Sequence, residues 1–384
     1  MTETVRKFVG LEDELHEAAI RKTTLDDFGD PSYRRGLEAL LHSYDADLRP
    51  SEFGWQRLYE GIIGILSSRL HTEQSLAEHP EIISVPIRRP LIITALPRTG
   101  TTALHRLLAV DPQFQTLERW LIDWPMVRPP RKNWKDYPAY RDCENWIEAM
   151  HAGIPESRKQ HELLPDQAEE CYGLLMQSFT CRTFALLCPS YADWYATQSA
   201  SKSYIRYSNI LRLIGSAEQN KPWLLKCPIH MTDIDTLLEV FPDACVIQTH
   251  RDPARAIPSL CSLQYTARQY LGHPATPDSI GAWQCTFWRF AVDQVQRARQ
   301  RFPRQFFDVD HRRFVTDPLA VVQSIYEYFG LTLTPHTEQQ MRTWIEASPT
   351  SRHGRHEYPL DSWGVTQGQI CELFADYRAQ HHFT

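Results

Sequence analysis

The sequence predicts an α/β fold: a P-loop-like parallel sheet flanked by helices, with extra helices at the N-terminus and inserted between strands. Three observations predict it. Short apolar runs alternate with segments of helical spacing, which is typical of parallel sheets. One of these runs leads through a tight loop directly into a helix. Two longer stretches, residues 1–80 and 141–215, show helical patterning throughout.

The first 80 residues predict amphipathic helices. Leu37, Leu40 and Leu41 recur at the spacing of one helix face. No residue in this stretch carries an obvious chemistry. We therefore expect residues 1–80 to form a helical cap on a nucleotide-binding and catalytic core over 90–358, all 384 residues forming one domain.

Four apolar runs predict the buried strands of the core, at residues 91–95, 223–227, 244–249 and 306–309. The helices predicted between and after them cover 101–110, 231–240, 279–301 and 318–329. Ligands of parallel α/β sheets bind beyond the carboxyl ends of the strands. We therefore expect the polar residues that follow these strands to converge.

The composition is that of an ordinary globular chain and argues against several classes of function. Of its residues 42% are hydrophobic and 23% charged, and a chain of 384 residues can bury a sizeable core. A net charge of −6 argues against nucleic acid as a partner. Nine scattered cysteines without C-x-x-C pairs argue against a disulfide framework or a zinc site and fit a reducing compartment.

Export and membrane insertion are also not indicated. The N-terminal residues contain no apolar segment of the signal-peptide kind. No run approaches the ~20 apolar residues that a spanning helix needs. We therefore expect a cytoplasmic protein with no integral membrane segment.

Residues 90–110 predict a phosphate cradle. An apolar strand is followed by a break that contains Pro97 and Gly100, and helical spacing begins at Thr101. The first N–H groups of a helix have no intrahelical partner, and the helix dipole adds partial positive charge there. The alternative is an ordinary strand–turn–helix corner. The residues expected to bind phosphate are Arg98, Thr99, Gly100, Thr101 and Thr102.

This cradle differs from that of the nucleotide hydrolases. Their loop reads G-x-x-x-x-G-K-[ST], in which the lysine reaches the β- and γ-phosphates and the hydroxyl holds magnesium. Here Thr101 stands at the lysine position, and the cation is Arg98 inside the loop. The loop therefore suits a terminal phosphate but lacks the usual equipment for a magnesium triphosphate.

A second anion site is predicted after the strand at 244–249. Arg251 follows that strand directly, and Ser259 lies eight residues later in the next helix. An arginine can bind a phosphate through two hydrogen bonds, and a hydroxyl can complete the contact. Alternatively, Arg251 pairs with a carboxylate and Ser259 is an ordinary residue of the helix surface.

Together, the two sites resemble the sulfotransferase family, whose donor is 3′-phosphoadenosine 5′-phosphosulfate. PRTGTT at 97–102 is similar to the PR[ST]G[ST]T loop of the bacterial and tyrosyl-protein branches. HRDPARAIPS at 250–259 looks like the R-[DN]-P…S element, and WLLKCPIH at 223–230 looks like the Lys-x-Pro-x-His strand end. The resemblance spans about residues 90 to 358.

The resemblance implies roles for these residues. The loop would hold the 5′-phosphosulfate, Arg251 and Ser259 would hold the 3′-phosphate, and Lys226 with Arg98 would supply a positive field. Arg352 and Arg355 stand where a basic loop closes on the nucleotide in the family. The family needs no metal, so we expect sulfuryl transfer from the donor to a hydroxyl without one.

The general base is left open between three positions. The bacterial and tyrosyl-protein branches have a catalytic glutamate about twenty residues after the loop, where this chain has Glu118. Cytosolic members use a histidine two residues after the lysine, but that position is Pro228 here and His230 comes two residues later. Glu169 or Glu170 is the third choice. The alternative for Glu118 is a solvated carboxylate paired with a nearby arginine.

The acceptor and two competing functions complete the predictions. Tryptophan and tyrosine residues in 120–146 and 191–207 suggest a small apolar or aromatic alcohol as acceptor. Packing in a hydrophobic core is the alternative explanation of these residues. A P-loop kinase or nucleoside triphosphatase would need a magnesium-binding aspartate, which Asp308 or Asp310 at the end of a strand could supply. A non-catalytic nucleotide-binding protein would bind the nucleotide without turnover.

Overall fold

The computed structural model describes residues 6–153, 163–347 and 363–383. These residues divide into two compact units. The first, here called the helical unit, consists of the described residues of Met1–Ile87, Leu117–Asn220 and Ala267–Pro274. The second, here called the sheet unit, consists of the described residues of Arg88–Thr116, Lys221–Thr266 and Ala275–Thr384. The expected single domain stays a prediction.

The sheet unit is built on a five-stranded parallel sheet, which confirms the predicted α/β fold class. Its strands are β1 (Leu91–Ile93), β2 (Gln115–Thr116), β3 (Trp223–Lys226), β4 (Cys245–His250) and β5 (Phe306–Asp310), in the order β2-β3-β1-β4-β5. β1 is central, and its last residue, Ile93, is aligned with Lys226 on β3 and with Ile247 on β4. The carboxyl ends of β1 and β3 therefore lie side by side, and β4 continues for three residues beyond them, to His250.

The α-helices of the described residues follow, in chain order. They are α1 (Glu12–Thr23), α2 (Tyr33–Asp47), α3 (Glu52–Glu78), α4 (Thr101–Leu108), α5 (Arg119–Asp123), α6 (Pro138–Gly153), α7 (Tyr172–Met176), α8 (Pro189–Tyr195), α9 (Ser201–Gly215), α10 (Ile234–Val240), α11 (Pro253–Tyr270), α12 (Pro277–Arg301), α13 (His311–Thr316), α14 (Pro318–Phe329), α15 (Pro335–Ala347), α16 (Gln367–Leu373) and α17 (Ala375–Gln380). The helix predicted over 231–240 is shorter than expected, because a 3₁₀ helix over Pro228–Asp233 precedes α10.

The core of the sheet unit fixes the orientation of α4. Leu104, Leu107 and Leu108 are fully buried in one cluster with residues of β1, β4 and α14. Burying a leucine side chain stabilises a fold by about 1.5–3 kcal/mol. The N-terminus of α4 is thereby held at the carboxyl end of β1.

The helical unit confirms the amphipathic pattern of the first 80 residues. Leu37, Leu40 and Leu41 of α2 are fully buried. The described part of the inserted stretch 141–215 contains α6 to α9, which are separated by loops and by a 3₁₀ helix at Arg182–Leu186. In the described part of the chain, no helix combines the length and the apolar character needed to cross a membrane.

Candidate functional site

The loop between β1 and α4 turns on two residues with positive φ. Arg98 has φ 67° and Gly100 has φ 91°. Glycine adopts this conformation without a steric penalty, whereas for an arginine it costs about 1–2 kcal/mol. A Cβ atom at position 100 would lie 3.1 Å from Cδ2 of His311. The loop thus requires a glycine at 100 and holds Arg98 in a strained conformation of the kind found at functional sites.

Thr99 fastens this loop to the sheet. Its side chain is fully buried, and its hydroxyl donates to the carbonyl of Leu96 at 2.6 Å. The hydroxyl of Thr249 on β4 lies 2.5 Å from the same oxygen and is therefore the donor of that second bond. Because the Thr99 hydroxyl is used inside the protein, its contribution to a ligand would come from the main-chain N–H.

Lys226 links the end of β3 to the start of α4. Its side chain is only 1% exposed, and its Nζ donates to Oγ1 of Thr102 at 3.3 Å. Thr101, the first residue of α4, is also buried. The ammonium group therefore stands beside the N–H groups at the start of α4, where it adds to the positive end of the helix dipole.

The two predicted anion sites converge, as expected from the order of the strands. Nε of Arg98 donates to Oγ of Ser259 at 3.0 Å. Nη1 of Arg251 donates to the carbonyl oxygen of Arg98 at 2.8 Å. The loop after β1 and the segment after β4 therefore form one hydrogen-bonded patch.

This patch concentrates positive charge. Burial, followed by the neighbouring Arg98 and Arg255, lowers the pKa of Arg251. Within the part of the chain that the structure describes, Arg98 bonds to Ser259 and Arg251 to the Arg98 carbonyl, and neither forms an ion pair with a carboxylate. Two adjacent guanidinium groups in this situation gain most from a bound anion.

His311 belongs to this site and was missed by the sequence analysis. It is the first residue of α13, and its ring faces Gly100. Burial, and then the charge of Arg251, lowers its pKa to about 4, so the imidazole is neutral near pH 7. The signal that could have identified it is its position directly after β5, since Arg251 likewise follows β4.

His230 occupies the 3₁₀ helix after β3 and is fully buried. Burial lowers its pKa to about 3. An imidazole with such a pKa is a weak proton acceptor at neutral pH, because its charged form is strongly disfavoured. This environment argues against His230 as a general base.

The candidate glutamates lie in the helical unit, on two paired segments. Glu118 forms an antiparallel bridge with Ala168. The N–H of Glu169 donates to the carbonyl of Leu117 at 2.8 Å. The N–H of Glu170 in turn donates to Oε1 of Glu169 at 2.8 Å. The chain thus brings together the segments that carry Glu118 and the 169/170 pair, although they are about fifty residues apart in sequence.

Glu118 is a buried, oriented carboxylate. It is 6% exposed, so it is not solvated as the alternative prediction had it, but it is paired with Arg128, one of the two nearby arginines, Arg119 and Arg128, that this alternative considered. Nε and Nη2 of Arg128 both lie 3.1 Å from its Oε2. Nη1 of Arg128 lies 3.0 Å from Oε2 of Glu218. One guanidinium group thus fixes the direction of the Glu118 carboxylate and is itself held by a second carboxylate.

The two aspartates of β5 that the competing kinase prediction would use as magnesium ligands form hydrogen bonds and ion pairs with other side chains. Asp308 accepts from His250 at 2.7 Å and from Arg299 at 2.5 Å. Asp310 accepts from the main-chain N–H of Arg312 at 2.8 Å and pairs with its side chain. In the residues described, no group of three or more histidine, cysteine, aspartate or glutamate side chains could hold a metal ion. Arg352 and Arg355 lie outside the described residues.

Comparison with known proteins points to one family. The model of the Sulfotransferase family matches residues 90–335. The omega-hydroxy-beta-dihydromenaquinone-9 sulfotransferase Stf3 of Mycobacterium bovis is 22% identical over 312 residues, which are 76% of this chain and 76% of that protein. The protein of the same name from Mycobacterium tuberculosis matches to the same extent.

Two solved structures have a similar fold over nearly the whole chain. Sulfotransferase STF1 from Mycobacterium tuberculosis H37Rv is 36% identical and superposes with a TM-score of 0.88, covering 97% of this chain and 100% of its own. Sulfotransferase STF9 from Mycobacterium avium is 27% identical, also with a TM-score of 0.88, covering 99% of this chain and 98% of its own.

We expect Gly100→Ala to abolish most binding of adenosine 3′,5′-bisphosphate. The new Cβ would combine an unfavourable φ with a 3.1 Å approach to His311. The matched control is Gly330→Ala, which has φ 64° but no atom within 4 Å of the added Cβ. Both variants should lose about 1–2 kcal/mol of stability in denaturant unfolding. Calorimetry should show an affinity loss above about 10-fold for Gly100→Ala alone, and equal affinities would contradict this account of the loop.

We expect His311 to take up protons when an anion binds. A bound phosphate raises the pKa of His311 from its low value of about 4. The complex then holds more protons than the free protein, so the affinity for the anion increases as the pH falls. The affinity of the wild type relative to His311→Asn should therefore grow between about pH 7 and about pH 5. Calorimetry with adenosine 3′,5′-bisphosphate in two buffers of different ionisation enthalpy measures both the affinity and the number of protons taken up. A ratio of wild-type to variant affinity that stays constant with pH would rule out proton uptake by His311.

Proposed function

The chain belongs to the sulfotransferase family, and from this premise we propose that it moves the sulfuryl group of 3′-phosphoadenosine 5′-phosphosulfate to a hydroxyl of a small-molecule acceptor. The observation that carries the donor assignment is the contact between the two cationic elements. Arg98 bonds to Ser259, and Arg251 bonds to the carbonyl of Arg98. A nucleotide with anionic groups at both its 5′ and its 3′ positions satisfies such a patch.

Each half of the patch suits one end of the donor. The main-chain N–H groups of residues 98–102 and the start of α4 would bind the 5′-phosphosulfate, with Lys226 beside them. Arg251 and Ser259 would bind the 3′-phosphate, since a guanidinium offers two parallel donors to phosphate oxygens. The lowered pKa of Arg251, caused by burial and by Arg98, indicates a position where a negative charge would be stabilised.

The transfer step needs a positive field and a proton acceptor. The acceptor oxygen attacks sulfur and loses its proton to a base, while the bond from sulfur to the 5′-phosphate oxygen breaks and adenosine 3′,5′-bisphosphate leaves. Arg98 and Lys226 would stabilise the charge that develops on the bridging oxygen and the sulfuryl oxygens. No step in this scheme calls on a metal.

For the proton acceptor we propose Glu118. Its carboxylate is buried and held by Arg128, which gives it a defined direction. His230 is less suited, because burial lowers its pKa to about 3. Glu170 remains the second choice, since its segment and that of Glu118 lie next to each other.

The acceptor we propose is an apolar or aromatic alcohol. Two curated relatives carry the name of an omega-hydroxy-beta-dihydromenaquinone-9 sulfotransferase. At 22% identity that relationship supports a class of acceptor, a small molecule with an apolar body and a hydroxyl, rather than one compound. Most aromatic residues of 120–146 and 191–207, among them Trp120, Tyr191 and Tyr207, are buried in the core, so packing accounts for them and the proposal does not rest on them.

The competing functions are less well supported. A kinase or nucleoside triphosphatase would need a lysine at the position where this chain has Thr101. It would also need an aspartate that is available for magnesium, whereas Asp308 is bonded to a histidine and Asp310 is paired with an arginine. A non-catalytic nucleotide-binding protein would bind the nucleotide without turnover, which the single-turnover rates below would show.

We expect the wild type to bind adenosine 3′,5′-bisphosphate equally well with and without EDTA. Arg251→Ala should weaken this binding by about 1.5–3 kcal/mol and Ser259→Ala by less, because a charged phosphate contact is the stronger one. The same substitutions should weaken the binding of adenosine 5′-phosphate, which lacks the 3′-phosphate, far less. The control is Arg297→Ala, which removes an exposed arginine of α12. Calorimetry that shows equal losses for both nucleotides would refute the 3′-phosphate assignment, and binding that disappears with EDTA would refute the donor.

We expect Glu118→Gln to keep donor affinity and to lower turnover by about 10²–10⁴-fold, the usual contribution of a positioned general base. Glutamine keeps the shape but accepts no proton at neutral pH. Glu218→Gln is the matched control, because it removes the other carboxylate that contacts Arg128. It should lower turnover far less than Glu118→Gln does. Single-turnover rates with labelled donor and an accepted alcohol measure both. A normal rate in Glu118→Gln beside a collapsed rate in Glu170→Gln or His230→Asn would move the base to that residue.

A further inference from the structure

We propose that α17 positions the 3′-phosphate site by holding both neighbours of Arg251. The hydroxyl of Tyr377 is hydrogen-bonded to the residue before Arg251, and Arg378 forms an ion pair with the residue after it. We call Tyr377 and Arg378 the α17 clamp. The proposal rests on the proposed function, in which Arg251 binds the 3′-phosphate. Both clamp residues lie beyond residues 90–335, the part of the chain that matches the family model.

The first half of the clamp acts on His250. The hydroxyl of Tyr377 lies 2.8 Å from Nδ1 of His250, and Nε2 lies 2.7 Å from Oδ1 of Asp308. Burial would raise the pKa of Asp308, but hydrogen bonds from His250 and Arg299 bring it below its usual range. Asp308 is therefore an anion that accepts from Nε2–H. Nδ1 of His250 then accepts from the Tyr377 hydroxyl, so every polar atom of this imidazole has a defined role.

Further contacts make this arrangement rigid. His250 and Tyr377 are both 2% exposed, and the ring of His381 stacks on that of His250 at 3.6 Å. Burial lowers the pKa of His250, which keeps its ring neutral near pH 7. A buried, fully bonded ring at the last residue of β4 leaves the main chain that enters Arg251 with little freedom.

The second half of the clamp acts on Asp252. Nε of Arg378 lies 3.5 Å from Oδ1 of Asp252. The same oxygen accepts the N–H of Ala254 at 3.0 Å and so begins α11, the helix that carries Ser259. Arg378 is also tied to the Sγ of Cys371 and, at 3.5 Å, to the carbonyl of Phe383. The start of α11 is thus fixed from the same helix that fixes His250.

The consequence concerns the direction of the Arg251 side chain. Within the described residues the Arg251 side chain forms no ion pair with a carboxylate, and Nη1 donates to the Arg98 carbonyl at 2.8 Å. Its position is therefore set by the main chain of 250–252. Loosening either neighbour should let the guanidinium move away from the place of a 3′-phosphate without changing the loop that holds the 5′ end.

The test compares ligands with and without a 3′-phosphate. We expect Tyr377→Phe and Arg378→Gln to weaken binding of adenosine 3′,5′-bisphosphate by about 5–20-fold and to change binding of adenosine 5′-phosphate by less than about 2-fold. In turnover assays the KM for the donor should rise while kcat stays near that of the wild type. Arg378→Lys keeps the charge and should recover part of the loss.

Two substitutions in the same unit serve as matched controls. Tyr328→Phe removes a partly exposed hydroxyl that bonds to the Arg304 carbonyl, and Arg297→Gln removes an exposed guanidinium on α12 that bonds to Gln294. Both should leave the binding of either nucleotide unchanged. Because the readout is the preference for the 3′-phosphate, a general loss of stability does not imitate the expected result.

The outcomes separate the clamp from the proposed function. A wild type that prefers the bisphosphate, with clamp variants that keep the same preference or lose both nucleotides equally, would overturn the clamp alone. A wild type without any preference for the bisphosphate would overturn the 3′-phosphate assignment and the clamp with it.

Discussion

The structure depends on the turn that the chain makes between β1 and α4. Arg98 and Gly100 both have positive φ there, and only the second is a residue that adopts it without cost. The surroundings keep this turn in place: Thr99 bonds to Thr249 on β4, and Arg251 holds the carbonyl of Arg98. Strain in the loop is therefore balanced by contacts from the strand that supplies the second anion site. The same contacts bring two separate sequence motifs into one patch.

The patch is electrostatically costly in the absence of an anion. Burial and neighbouring arginines lower the pKa of Arg251, and burial with Arg251 lowers that of His311. Each shift means that the fold destabilises the charged form of the group. Such an arrangement is a poor way to stabilise a protein and a good way to prepare a site for phosphate groups. A bound nucleotide would relieve this repulsion and should stabilise the folded chain.

Cationic and carboxylate chemistry are carried by different parts of the chain. The sheet unit supplies Arg98, Lys226 and Arg251 from loops and strand ends. The helical unit supplies Glu118, whose direction is set by Arg128. In the proposed reaction, Arg128 would orient the proton acceptor Glu118 without taking part in the chemistry itself. Such supporting partners, like the α17 clamp, decide how well a site of the right composition works.

The sequence by itself determined the fold class, four of the five strands, the helix that follows β1 and the pairing of two anion motifs. Apolar periodicity reports local backbone structure, and motif spacing reports which residues follow a strand. The sequence did not predict β2, which consists of only Gln115 and Thr116 and is defined by its pairing with Trp223 and Leu224 of β3. Only the tertiary structure showed His311 against Gly100 and the burial that weakens His230 as a base. These features depend on contacts between residues far apart in the chain, and neither periodicity nor spacing encodes the solvation that such contacts create.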